Sequence, residues 1–364
     1  MKLTRLFSLG FLALFAWLPL SSMGKSNDNK VTKHFQTEYQ IDPETMVSIE
    51  NRYGQLNIEN WDKDMIAIEV DVVVEHINKK KAENILSAIT VNFGVKGNDI
   101  TALTEIDEKM MKNTGNNSFS WFSNNKIQID YRVKVPSNIN ITLTNKYGDI
   151  FIDRLAAHTT INLKYGNLKA NCICSGSSEN ISLVRLKYSN ASIEEANWMM
   201  FEMEYANVNV DRATALVLSS KYSKFNAERV SSLVNESKYG TINIGRIGNL
   251  VGESGYTTYR INQLDRKLEI TTKYGDVHID EVNPKFQYIV FNGSYAGLRA
   301  PIAHTVSYTL DGQAAYGGIT YGSPARVSRI DSINKLTVNG TVGENPNPTQ
   351  KVTIRVKYGN VNLR

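Results

Sequence analysis

One short phrase recurs along this chain, and its tyrosine marks a nearly constant period. An apolar alternation leads into Lys-Tyr-Gly or a close relative, and a second apolar alternation follows. Between residues 147 and 274 the marked tyrosines are 18, 23, 17, 17, 17, 17 and 18 residues apart. Twelve of the 18 tyrosines share this position, which indicates a repeat architecture. We call them the repeat tyrosines: Tyr53, Tyr147, Tyr165, Tyr188, Tyr205, Tyr222, Tyr239, Tyr256, Tyr274, Tyr295, Tyr316 and Tyr358.

The apolar residues within each repeat predict β-strands, because they recur at every second position. The alternation changes phase at the glycine after the tyrosine, so we predict a turn there, in which glycine takes the positive φ or tight bend that tyrosine could not take. Two strands and two turns in 17 or 18 residues cannot bury their own apolar face, so the repeats must stack. The sequence therefore predicts an all-β fold, a right-handed parallel β-solenoid of about 17–18 residues per coil. In it, equivalent inward residues lie above one another: Ile193, Val210, Ala227 and Ile244.

The phrase divides the chain into five predicted parts. Residues 1–24 form a signal peptide, and residues 25–60 form an N-terminal cap with the first coil. Residues 61–140 depart from the repeat as an α+β excursion packed on the end of the solenoid. Residues 141–283 form the regular solenoid, and residues 284–364 form looser C-terminal coils with a hairpin near Gly343.

The N-terminal segment has the features of a cleavable secretory signal. Lys2 and Arg5 precede an apolar run over residues 6–20, and small residues end the segment. No later stretch approaches the roughly 20 consecutive apolar residues that a membrane-spanning helix needs. We therefore expect an exported protein without a transmembrane segment, in the periplasm, at the outer-membrane periphery or outside the cell.

The repeat tyrosines share the phase of the inward apolar residues. This phase predicts buried rings whose hydroxyls reach backbone groups in the turns. The alternative is an exposed ladder of rings that stacks on sugar rings.

A lysine precedes most of the repeat tyrosines and is expected to point outward on one face. Neighbouring lysines would repel each other by about 1 kcal/mol in water, so a stripe retained at this cost is a candidate site for an anionic polymer or an envelope protein. The alternative is that the lysine stems shield the strands and keep the protein soluble. The net charge of +5 is modest and does not argue for nucleic acid. The candidate binding residues are Lys146, Lys164, Lys187, Lys221, Lys238 and Lys273.

Candidates for catalysis or metal binding are weak. The best constellation is Asp276, His278 and Asp280, which alternate outward on one strand, as a polysaccharide-cleaving β-helix enzyme would require. The matching positions of the adjacent coils offer no further acid, so we predict no catalytic residues, no cofactor and no metal site. Cys172 and Cys174 are two residues apart on one strand and are interpreted as packing residues, with a labile redox pair as the alternative.

The signal peptide, the first Arg-Tyr-Gly phrase at Tyr53, the strand-helix-strand excursion and the tandem Tyr-Gly turns together resemble the bacterial putative-adhesin family of β-strand repeat proteins, a domain of unknown function common in Bacteroidetes. The resemblance covers about residues 40–364 and includes no catalytic motif. It implies a non-enzymatic, envelope-associated solenoid. The loop at 108–126 carries Trp121 and Phe122, which touch a membrane or partner in one interpretation and fold back on their own domain in the other. The pattern does not specify an oligomeric state.

Overall fold

The computed structural model of the chain describes residues 29–107, 126–175 and 178–364. The predicted signal peptide lies outside these residues, as do Trp121 and Phe122. The described part contains 25 β-strands and one helix. The all-β prediction is therefore confirmed.

The helix, α1, spans Lys79–Ser87. The strands are β1 (Lys30–Gln40), β2 (Met46–Arg52), β3 (Leu56–Asn60), β4 (Met65–Glu75), β5 (Ile89–Lys96), β6 (Asp99–Ile106), β7 (Lys126–Val135), β8 (Asn140–Lys146), β9 (Ile150–Leu155), β10 (Thr159–Lys164), β11 (Asn167–Cys174), β12 (Ser182–Lys187), β13 (Asn190–Asn197), β14 (Met199–Glu204), β15 (Asn207–Lys221), β16 (Lys224–Lys273), β17 (Val277–Val282), β18 (Tyr288–Ser294), β19 (Leu298–Arg299), β20 (Tyr308–Ala315), β21 (Ile319–Thr320), β22 (Ala325–Ser332), β23 (Lys335–Val342), β24 (Gln350–Lys357) and β25 (Val361–Asn362).

Equivalent strands of successive repeats pair in parallel. The strands before the repeat tyrosines form one series, β8, β10, β12, β14 and β15, and the strands after them form a second, β9, β11, β13 and β15. In the second series Ile193 pairs with Val210, and Val210 pairs with Ala227, as predicted from their constant offset. The right-handed crossover and the complete solenoid stay predictions.

The core is built by the alternation within these strands. In β8 and β10 every second residue is buried while the residues between them are half-exposed. Because parallel pairing stacks equivalent residues, the inward side chains form continuous apolar rows such as Leu143, Ile161, Val184 and Phe201. Burial of these rows is the main favourable contribution to the stability of the stack.

The N-terminal end of the stack is covered by the residues that depart from the repeat. Strand β2 pairs in parallel with both β8 and β6, so the coil of Tyr53 lies next to that of Tyr147 although 94 residues separate them. Strand β4 lies between β1 and β7 and is antiparallel to both. Helix α1 contacts β1, β4 and β5. The predicted division of the chain at residues 24, 60, 140 and 283 stays a prediction.

The C-terminal end departs from the order of the sequence. Strand β24 pairs in parallel with β18 on one side and with β20 on the other, so the last long strand is inserted between two earlier ones. The hairpin of the C-terminal part is formed by β22 and β23 and turns at Ile333 and Asn334. The hairpin predicted near Gly343 is therefore wrong in position, because the segment at Gly343 connects β23 to β24, and these two strands do not pair with each other.

The turn after each first strand also differs from the prediction. All twelve repeat tyrosines have a positive φ, between 51° and 64°, and Gly148 and Gly166 do not. The glycine after the tyrosine is required for a different reason, because a Cβ on Gly148 would overlap the backbone carbonyl of Gly54 in the adjacent coil. The tyrosine backbone N–H donates to the adjacent coil, as from Tyr147 to the carbonyl of Lys164 at 3.0 Å. Close approach between coils, and not backbone freedom, explains the glycine.

Replacing Gly148 with alanine tests this explanation. The added Cβ meets backbone of the adjacent coil, which cannot move without breaking the parallel pairing, so we expect Gly148→Ala to lower the free energy of unfolding by about 3 kcal/mol or more. The measurement is denaturant unfolding. Gly255→Ala is the matched control, because its Cβ would lie 3.9 Å from the nearest atom and should change stability little. Equal effects of the two substitutions would contradict the close-approach explanation.

Candidate binding face

The repeat tyrosines form one continuous ladder of stacked rings. Consecutive ring centroids lie 4.6–5.3 Å apart, and the ring planes differ by 2–18°. The ladder follows the chain from Tyr53 to Tyr295, and then passes through Tyr358 to Tyr316 because β24 is inserted before β20. We call this row the tyrosine ladder.

The predicted burial of these rings is wrong. Eleven of the twelve side chains are 39–54% exposed. The positive φ at each tyrosine breaks the alternation of the strand, so the phase of the preceding inward residues does not carry over to the ring. The alternative prediction, an exposed ladder, matches the exposure. However, each inner ring is covered on both faces by its neighbours, so the ladder presents ring edges and hydroxyls to solvent and no open face on which a sugar could stack.

The six predicted binding lysines lie beside this ladder, one residue before a tyrosine. Parallel pairing places Lys146 opposite Lys164, and Lys164 opposite Lys187. The series is interrupted by Glu204 and resumes with Lys221 and its partner in the next coil. Cations of this column lie 4.9–5.9 Å from the centroid of the tyrosine that follows them: Arg52, Lys146, Lys164, Lys187, Lys273 and Lys357. At such distances a cation is attracted by the ring quadrupole.

Two grooves run along the same face and contain all six lysines. Groove A, of about 650 Å³, is lined by residues of the coils from Thr144 to Lys221. Groove B, of about 770 Å³, is lined by residues of the coils from Glu236 to Lys357. In each groove, one wall consists of the residues directly before the repeat tyrosines, which include the lysines. The other wall consists of the residues two positions before those in the chain. The residue between them points into the core, as Leu186 does, so strand backbone forms the floor.

The two grooves adjoin, because the last lysine of groove A, Lys221, pairs with Lys238 of groove B in the next coil.

Both grooves carry an excess of positive charge. Each is lined by five basic and two acidic side chains. In groove A, Arg185 pairs with Glu202 and Lys187 with Glu204, each at 2.7 Å. The hydrogen bond to Glu204 raises the pKa of Lys187, which keeps the ammonium group charged. The same hydrogen bond makes this group less available to a ligand. Lys146, Lys164 and Lys221 form no ion pair with any carboxylate among the described residues and are the available cations of groove A.

The candidate catalytic strand has structural roles instead. The Asp276 carboxylate accepts a hydrogen bond from the Gly297 backbone N–H of the adjacent coil at 2.7 Å. Asp149 and Asn360 make the equivalent contact to their own neighbours, so this is a recurring turn interaction. His278 lies 3.3 Å from Asp280 on the exposed surface. His278 and Asp280 lie on β17 while Asp276 precedes it, and the arrangement supports no catalytic role.

Two rows of asparagines lie on the strands after the repeat tyrosines, whereas the lysines lie on the strands before them. The predictions made from the sequence did not include these rows. The Asn190 amide donates to the Asn167 side chain at 3.0 Å, and Asn207 donates to Asn190 at 3.1 Å. A second row links Asn243, Asn226 and Asn209, with both distances 2.8 Å. The signal was present as asparagine at a constant offset from the tyrosine. These rows join side-chain amides between coils and support the register of the stack, although Oδ1 of Asn243, at the end of the second row, has no hydrogen-bond partner among the described residues.

The cysteines correct another interpretation. The structure joins Cys172 to Cys174 by a disulfide, and both residues are buried. The interpretation of the two cysteines as packing residues is therefore wrong. Parallel pairing also places Glu195 opposite Cys172, and the two sulfurs and a carboxylate oxygen of Glu195 lie within 4.8 Å of one another. Sequence reasoning could not find this group, because Glu195 belongs to the next coil.

Comparison with known proteins gives matches only among solved structures. No family model and no curated protein matches the chain. A structure titled a putative cell adhesion protein from Clostridium sporogenes is 11% identical, with 91% of this chain and 99% of that chain covered and a TM-score of 0.19. A putative adhesin from Bacteroides fragilis is 13% identical, with 91% of this chain and 97% of that chain covered and a TM-score of 0.29. A putative adhesin from Parabacteroides distasonis is 12% identical, with the same coverage of both chains and a TM-score of 0.25.

These names agree with the family resemblance drawn from the sequence. At such identities and TM-scores the likeness carries no argument about function. Among the described residues, no helix is long and apolar enough to cross a membrane.

Substitutions at mid-ladder test the exposed position of the tyrosines. Tyr222→Ala removes two stacked contacts of about 0.5–1.5 kcal/mol each, so we expect the free energy of unfolding to fall by about 1–3 kcal/mol. Tyr222→Phe keeps the stack and removes a hydroxyl on the exposed edge, and it should change stability by no more than about 0.5 kcal/mol. Denaturant unfolding of both variants gives the comparison. A large loss in the phenylalanine variant would show that the hydroxyl is a buried, bonded group.

Proposed function

We propose that this chain is an exported, non-enzymatic, adhesin-like envelope protein, built as a right-handed parallel β-solenoid, whose grooves bind an acidic polysaccharide. The observation that carries the proposal is the excess of basic side chains along the two adjoining grooves. Their long, open shape suits a linear polymer better than a compact ligand.

The spacing of the lysines supports a polymer ligand. The coils of Lys146, Lys164 and Lys187 place equivalent cations about one strand spacing, 4.8 Å, apart, so an extended chain lying along groove A meets successive positive charges. The walls also offer neutral donors and acceptors, such as Asn162 and Thr271, that suit sugar hydroxyls. Each contact is weak in water, and many contacts along one chain act together because the first makes the next intramolecular.

An alternative explanation of the lysines is internal. Their ammonium groups lie near the rings of the following tyrosines, and their stems can cover the strands, so the column is explicable as packing and solubility without any ligand. The two explanations differ in what polyanions do. If the lysines serve only the ladder, then removing them should lower stability and leave no binding to lose.

The test replaces four lysines that have no carboxylate partner among the described residues. We expect the quadruple variant Lys146→Gln, Lys164→Gln, Lys221→Gln and Lys273→Gln to lose most of its affinity for polygalacturonate. The matched control replaces four exposed lysines elsewhere, Lys134, Lys169, Lys224 and Lys285, and has the same net charge. Binding is measured by calorimetry, with neutral dextran as a further control. The control variant should bind as the parent does.

Salt dependence adds a second criterion. Raising the ionic strength from about 0.01 M to about 0.1 M shortens the Debye length from about 30 Å to about 10 Å, so affinity of the parent should fall steeply. Equal loss in the two quadruple variants would indicate general charge attraction and overturn the groove assignment. A parent that binds no acidic polysaccharide at low salt would overturn the proposed function. The polymer should keep its length after incubation, because Asp276 is held in a structural contact.

A further inference from the structure

We propose that Cys172, Cys174 and Glu195, after reduction of the disulfide, form a binding site for a thiophilic divalent cation such as Zn²⁺. The site lies at the second strand of the repeat, away from the grooves of the binding face. The two sulfurs and a carboxylate oxygen lie within 4.8 Å of one another, although the carboxylate comes from the neighbouring coil. A tetrahedral zinc site holds its ligands about 3.3–3.8 Å apart, so small side-chain rotations would bring the three atoms onto one ion.

The backbone explains why the two cysteines can act together. Ile173 pairs with the buried residues Leu155 and Ala196 of the two adjacent coils, so it is the inward residue between the two cysteines. Cys172 and Cys174 therefore project to the same side of the strand. The Cα atoms lie 5.6 Å apart, which allows both sulfurs to contact one ion.

The third ligand is positioned by the parallel register. Cys172 pairs with Glu195 of the next coil, and the Glu195 side chain is half-exposed. The Asn197 side-chain amide lies 3.4 Å from a Glu195 carboxylate oxygen and can orient it. The half-exposed side of the group leaves room for water as a fourth ligand, the arrangement of open zinc sites.

The charges around the group also suit a metal. Two thiolates and a carboxylate carry three negative charges, of which a divalent cation neutralises two. Arg154 pairs with Cys172 in one adjacent strand, and Arg212 pairs with Glu195 in the other, so two basic residues share the row of the ligands and can offset the one remaining negative charge. Thiolate sulfur selects Zn²⁺ and similar ions over Ca²⁺ and Mg²⁺, which prefer oxygen ligands.

Disulfide and metal exclude each other because both use the same sulfurs. A dithiol reductant such as dithiothreitol supplies two electrons and two protons, which convert the Cys172–Cys174 bond into two thiols while the reductant becomes a cyclic disulfide. The cation then displaces the two thiol protons into solvent. Metal binding at this site is therefore expected only in the reduced protein and is expected to weaken at low pH.

The experiment titrates the reduced full-length protein with Co²⁺ under anaerobic conditions and then displaces it with Zn²⁺. We expect one equivalent of Co²⁺ to give a thiolate-to-cobalt absorption band that Zn²⁺ abolishes and Ca²⁺ does not. Oxidised protein should give no band. Cys172→Ser and Cys174→Ser should each lose it, with circular dichroism used to confirm that each variant is folded.

Glu195→Gln tests the carboxylate. It should weaken Co²⁺ binding by about tenfold or more, while Glu194→Gln, the adjacent exposed carboxylate, should leave it unchanged. If the reduced parent gives no band, or if folded cysteine variants keep it, the site is overturned. If Glu195→Gln binds as the parent does, the three-ligand arrangement is wrong.

Discussion

The fold depends on parallel hydrogen bonding between equivalent residues of successive repeats. Each strand bonds to the strand one repeat earlier and to the strand one repeat later, as β10 bonds to β8 and β12. This pairing fixes the spacing between coils at about 4.8 Å and, in the repeats that carry glycine after the tyrosine, leaves no room for a Cβ at that position. The glycine after many of the repeat tyrosines, such as Gly148, answers that constraint. Every other row on the molecule follows from the same register.

The parallel register stacks identical side chains, which is favourable for some residue types and unfavourable for others. Stacked tyrosines gain ring contacts along the whole ladder, and these help to offset the roughly 1–2 kcal/mol that a left-handed backbone costs each of them. Stacked asparagines satisfy one another between coils. Stacked lysines instead repel, and the structure reduces this by placing their ammonium groups over rings and by inserting Glu204 between Lys187 and Lys221. The remaining unpaired cations are the basis of the proposed polysaccharide groove.

The two proposed sites use different consequences of the same stacking. The grooves repeat one residue type along many coils, so their affinity depends on length and on salt. The cysteine group occurs at one coil only and combines residues of different repeats, since Cys172 and Glu195 are paired across the register. One site is therefore extended and electrostatic, and the other is local and selective for its ligand atoms. A variant that loses one should keep the other.

The sequence by itself determined the repeat, its strands and the parallel alignment of equivalent residues, because a fixed offset from the repeat tyrosine must become a row once the coils stack. It placed the six lysines on one face for the same reason. It could not determine which way the tyrosines point, since their alternation with Leu143 or Ile161 looks inward until the positive φ at each tyrosine is known. Nor could it place β24 before β20 or bring Glu195 to the cysteines. These features depend on contacts between segments distant in the chain, which local periodicity does not encode, and only the tertiary structure decided them.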